Sequence, residues 1–163
     1  MANTQSMCTS FMSELMYGYH QFGQPTLTSR GSLTAPTNDT FKGALYLTTA
    51  TINASTTAYS ATGEVSGTGY TAGGVAVTNA TAPTYSNTSS TAGTAYWTPS
   101  ASLSYTSVTL TTAFDTVLIY NSTQGNRAVS VHTFGSQTVT AGTFTLTMPS
   151  NSTSTALLRL ATT

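Results

Sequence analysis

A chain of 163 residues with 39% hydrophobic side chains suits a single domain around one core. Its polar surface carries almost no charge: four Lys or Arg and four Asp or Glu give zero net charge, whereas 38 Thr and 21 Ser supply small hydroxyls. That balance excludes a phosphate-tracking nucleic-acid surface, and no apolar run approaches the roughly 20 residues of a spanning helix.

The amino terminus, Met-Ala-Asn-Thr-Gln-Ser-Met-Cys, has neither the basic start nor the apolar stretch of a secretory leader, so synthesis in a cytoplasm is expected. Residues 5–22 are read as a helix, because Phe11, Leu15, Tyr19 and Phe22 recur at helical spacing with Met7, Met12 and Met16 beside them. Gly23 followed by Pro25 supplies its stop. The stripe enters either its own core or a neighbour's, and periodicity leaves both open. Cys8 has no second cysteine to pair with and reads as a buried thiol.

From about residue 41 the pattern becomes that of strands, expected at 43–50, 74–78, 94–98 and 103–110. Leu103 and Tyr105 have odd parity but Val108 and Leu110 even parity, so a bulge near Thr106-Ser107 lets both pairs point inward. Ala141-Gly142 separates Val139 from Phe144 in the same way. The run from Thr116 to Tyr120 is apolar on both faces and reads as a central strand, and Asn121–Asn126 is its turn. Val129 and Val131 alternate with Ser130 and His132, and Phe144, Leu146 and Met148 with Thr143, Thr145 and Thr147. A tight turn is expected at Gly135-Ser136, completing a meander. Gly63–Gly74 and Thr78–Gly93 read as surface loops. The fold class is therefore mainly β, an antiparallel β-sandwich or Greek-key barrel with one N-terminal α-helix, divided into a helical arm over 1–30 and a β domain over 31–163.

Chemistry-bearing residues are few. A hydrolase would draw on His20, His132, Asp39 and Asp115, a glycosidase on carboxylates among Glu14, Asp39, Glu64 and Asp115, and neither set shows a motif. No spacing suggests a metal site, the glycine run lacks the lysine of a phosphate cradle, and six Asn-x-Ser/Thr triplets are what so much Ser and Thr produces by chance. No enzyme activity, cofactor or metal is expected. Tyr96, Trp97 and Tyr105 read either as core aromatics or as a platform for a sugar ring.

The segment Tyr59-Ser-Ala-Thr-Gly-Glu-Val-Ser-Gly-Thr-Gly-Tyr-Thr-Ala-Gly-Gly74 with Val75-Ala-Val-Thr78 resembles a stretch of small virion-associated structural proteins of tailed bacteriophages. So do Asp39-Thr-Phe-Lys-Gly-Ala-Leu-Tyr46 and Phe114-Asp-Thr-Val-Leu-Ile-Tyr120, and the pattern spans most of residues 1–160. The resemblance implies a structural role such as shell decoration and brings no catalytic residue. A capsid decoration, or cement, protein is thus expected: a homo-oligomer on the outer face of the virion shell that reinforces contacts between coat subunits, with no nucleic-acid or membrane partner. Its expected contacts with the major capsid protein or other virion proteins are Phe11, Leu15, Tyr19 and Phe22 on the helix, with Gly67 and Tyr70 in the glycine-rich loop. A tail, neck or baseplate adaptor or fibre component is the alternative, and a glycan-binding receptor module ranks third.

Overall fold

Where two faces of a strand are apolar, both must be covered, and the centre of this protein is built from three such stretches. The computed structural model describes residues 3–23, 37–87, 89 and 92–162. In chain order the elements are β1 (Ser6–Met7), α1 (Thr9–Met16), β2 (Phe41–Leu47), β3 (Val75–Val77), β4 (Thr84–Asn87), β5 (Gly93–Trp97), β6 (Leu103–Asn121), β7 (Arg127–Leu146) and β8 (Leu158–Ala161). They form an antiparallel five-stranded sheet, β1-β7-β6-β2-β3, and a three-stranded sheet, β4-β5-β8. The molecule is mainly β, antiparallel throughout, with one short N-terminal helix, as the sequence led us to expect. Both sheets are open, so the arrangement is sandwich-like rather than a barrel.

β6 and β7 make one long hairpin. Near its turn, at residues 122–126, strands β2, β6 and β7 are buried on both faces: Ala44, Leu45, Leu118, Val129 and Val131 are fully enclosed. One face is covered by rings: Phe22 stacks on Phe41 at 4.8 Å and meets Trp97 of β5 at 4.7 Å. On the other face Tyr59 stacks on Tyr120 at 4.8 Å, and the Tyr46 hydroxyl donates to the Ser60 carbonyl. Farther along, the hairpin is covered on one face only, and exposed Thr and Ser alternate with the inward set.

Both anticipated parity switches are present. The register shifts between Tyr105 and Val108, where Ser107 takes φ 54°, and between Val108 and Leu110, opposite Ala141 at φ 46°. Each bulge restores the inward direction of the next apolar pair. The turn expected at Gly135-Ser136 is absent: β7 runs through it, with a further register shift between Phe114 and Thr116 absorbing the extra residues. Residues 103–110 and 116–120 accordingly belong to one strand. The Thr78–Gly93 stretch contains β4 and is not simply a loop, and β8 pairs with β5 from a segment without a marked alternation.

The helix is shorter than residues 5–22. It stops because Gly18, at φ 72°, donates its N–H to the Leu15 carbonyl at 3.1 Å while Tyr19 donates to Glu14 at 3.0 Å, the paired bonds of a glycine C-cap. Residues 3–23 do not stand off as an arm: β1 pairs with β7, Cys8 and Phe11 are buried, and Asp39 donates its N–H to the Gln21 carbonyl. The expected stop at Pro25 and the boundary at residue 30 lie outside the described residues. Among the described residues no helix is long and apolar enough to cross a membrane.

Candidate interaction site

The expected contact residues fall on two sides of the N-terminal segment. Phe11 is 2% exposed and belongs to the core, because the sheet beneath needs that cover; Phe22 packs in the same aromatic cluster and is half-buried. Leu15 is half-buried at the rim of an apolar dimple of about 90 Å³ that it shares with Trp97 and Leu160. Tyr19 is 42% exposed and belongs to an outward group that periodicity did not isolate: Met12, Met16 at 85% and Tyr17 at 74%. The Tyr17 and Tyr19 rings lie 5.7 Å apart. The Gly18 cap turns the chain here and brings them together.

A buried polar cluster holds this surface. Glu14 faces inward and accepts from Arg127 Nη1 and from His20 Nε2, both at 2.7 Å. The Arg127 guanidinium also lies over the Tyr19 ring, 4.6 Å from its centroid. On the far side of His20, the Asn121 amide orientation is set because its Oδ1 accepts from the N–H groups of Thr123 and Gln124. Asn121 Nδ2 therefore faces His20 Nδ1 at 3.1 Å and donates to Asp39 Oδ2 at 2.7 Å. His20 is thus held neutral, with its proton on Nε2, since a proton on Nδ1 would confront another donor. Burial lowers its pKa against the raising influence of Glu14.

The four carboxylates share one kind of task. Asp39 also accepts from Gln21 N, and Asp115 accepts from Asn3 Nδ2 and Thr116 Oγ1. Glu64, in the glycine-rich loop, accepts from the Tyr59 and Tyr70 hydroxyls at 2.6 and 2.7 Å and from the Gly73 N–H at 2.7 Å. Tyr70 in turn accepts from the Leu45 N–H, and Gly67 runs so close to the Thr109 carbonyl that a Cβ would collide with it. Tyr70 and Gly67 thus both have contacts within the chain, and of the two expected partner contacts in this loop Gly67 is exposed and Tyr70 half-buried. Glu14, Asp39 and Asp115 join segments remote in the sequence, and Glu64 gathers donors of its own loop, all by charge-assisted hydrogen bonds.

His132 lies on the Ser130 face of β7 as expected, with Ser130 Oγ 2.9 Å from Nε2, beside a cleft of about 640 Å³ between the sheets. Burial pushes the ring's pKa down to about 4. A ring so far below neutrality is a weak base at pH 7, and no carboxylate orients it among the described residues. Cys8 is fully buried and its thiol is pushed up to about 12, mainly by burial, which makes it unreactive. Among the described residues no three His, Cys, Asp or Glu side chains gather as metal ligands. The sugar platform is not formed, since Trp97 and Tyr105 are each 2% exposed.

Both histidines have folded pKa values below the ordinary 6.5, so their neutral rings contribute stability fully above pH 6.5, and that contribution is lost as pH falls toward the folded values. For His132 the loss approaches about 3 kcal/mol by about pH 4. The melting temperature is expected to fall between about pH 7 and about pH 4, and to fall less in a His20→Gln, His132→Gln double variant. A flat profile in the parent protein would contradict the burial of these rings.

No family model, curated protein or solved structure matches the chain. The fold and the site together define a class and no more: an antiparallel β-protein whose acids are internal fastenings and whose N-terminal segment presents an apolar surface.

Proposed function

We propose that the protein is a structural virion protein of a tailed bacteriophage, a capsid decoration protein that binds the outer face of the shell and reinforces contacts between coat subunits. The observation that carries the reading is the outward group Met12, Met16, Tyr17 and Tyr19, held on a rigid base by Glu14, His20 and Arg127. A protein with 5% charged residues has little electrostatic repulsion to keep copies apart, which suits a surface used in assembly. The resemblance of residues 59–78 to phage structural proteins supports the same reading. Binding to the assembled shell and not to dispersed coat subunits stabilises the shell by mass action.

In this role Tyr19 keeps its place as a contact, with Met12, Met16 and Tyr17 joining it and Leu15 at the margin. Met16→Gln with Tyr17→Ser is expected to lower shell occupancy at least about tenfold while leaving the melting temperature unchanged, because both side chains are mostly exposed. Attachment of the parent protein is expected to change less than about twofold between low and moderate salt, since the charged side chain beside this outward group, Arg127, is already paired with Glu14. Quantitative mass spectrometry of purified virions tests the role directly. A copy number on the order of hundreds fits shell decoration, and one on the order of ten moves the protein to the tail, neck or baseplate and overturns the decoration role.

A further inference from the structure

Sheet edges expose unpaired N–H and C=O groups, and proteins commonly blunt them by shortness, charge or proline. Three of the edges here are treated in this way: β3 has three residues, β4 has four, and β8 has four including Arg159. The β7 edge is different. β1 covers it only at Ser130 and Val131, and from His132 to Leu146 the flank away from β6 has no backbone partner among the described residues. Residues 133–147 contain no charged side chain and no proline.

Ala141, at φ 46°, interrupts this edge and leaves a regular stretch after it, where Phe144, Thr145 and Leu146 pair with Tyr105, Ser104 and Leu103. Phe144 packs inward, with its ring 5.0 Å from Phe114 and 5.3 Å from Phe134, yet Phe144 and Leu146 are only half-buried. A neighbouring strand on the outer flank would complete their cover, and it must itself be extended, uncharged and alternately apolar. The edge has that description.

We infer that β7 pairs with β7 of a second copy, antiparallel across a two-fold axis at Thr145. That register sets Phe144 opposite Leu146 of the other copy and Thr143 opposite Thr147, an aromatic–aliphatic and a Thr–Thr pair, both favourable across strands. A two-fold interface of this kind closes on itself, so it gives a dimer rather than a fibre. The inference goes beyond shell binding: it holds or fails for the isolated protein in solution, whatever particle the protein belongs to.

Thr145→Cys tests it, because the chain's one native cysteine, Cys8, is fully buried. In a glutathione redox buffer the two Thr145→Cys thiols at the axis are oxidised to one disulfide as glutathione disulfide is reduced to two thiols. Cross-linking is expected at least about tenfold faster than for Thr138→Cys, whose two copies would lie roughly 40 Å apart in this register. Sedimentation of the parent chain at about 100 µM is expected to show a dimer, with Thr145→Lys raising its dissociation constant at least about tenfold and leaving unchanged the melting temperature of protein diluted until both forms are monomeric. A monomeric parent chain, equal cross-linking at positions 138 and 145, or a dimer abolished by Met16→Gln and not by Thr145→Lys would each overturn the inference.

Discussion

Trp97→Ala is expected to destabilise the protein by about 4 kcal/mol, lowering the melting temperature by roughly 10 °C for a chain of this size. The indole is 2% exposed, 4.7 Å from the Phe22 ring and 6.1 Å from Phe41, and its Nε1–H donates to the Thr81 carbonyl at 2.7 Å. Truncation would leave a cavity where the two sheets and the N-terminal segment meet, with an unpaired carbonyl at its wall. Trp97→Phe, which keeps a ring and loses only the donor and some volume, should cost about 1 to 2 kcal/mol. Thermal melts followed by circular dichroism give both values. A Trp97→Ala protein as stable as the parent would remove the indole from the core and return the sugar platform to consideration.

Glu64→Ala should cost a similar amount, about 3 to 4 kcal/mol, through hydrogen bonding rather than packing. The carboxylate is 9% exposed and accepts from three donors, so its removal strands two tyrosine hydroxyls and the Gly73 N–H. Glu64→Gln retains an oxygen for Tyr70 and Gly73, and the Tyr59 hydroxyl can turn to accept from the new amide, so about 1 to 2 kcal/mol is expected. Urea denaturation measures the difference between the two variants. In Glu64→Ala, amide exchange should also rise first over residues 59–74, because that carboxylate fastens the segment to β2. Equal stability of the Ala and Gln variants would mean that the tyrosines find other acceptors.

The two variants show different degrees of legibility in the sequence. Trp97 could be read only as core or platform, since the choice rests on burial, which depends on Phe22 and Phe41 arriving from 75 and 56 residues away in the sequence. Glu64 was legible as part of a distinctive glycine-rich stretch, but its role was not, because Tyr59, Tyr70 and Gly73 surround it only once the loop has folded back on β2. The helix stripe was read in the right place and with the wrong ends. The Gly18 cap was a usable signal, but the apolar spacing of Tyr19 and Phe22 ran past it.

What the sequence determined by itself is what the backbone enforces locally. Alternation with a period of two made the strands antiparallel and half-buried, its breaks located bulges at Ser107 and beside Ala141, and Asn121–Asn126 made the hairpin turn. The tertiary structure alone decided which side of the N-terminal segment is core and which is surface. It merged two expected strands into β6, enlisted β4 and β8, and brought Glu14 against Arg127 across 113 residues. Periodicity is a property of neighbours along the chain, whereas a buried carboxylate takes whichever donors the folded chain brings within about 3 Å, and no spacing in the sequence records that choice.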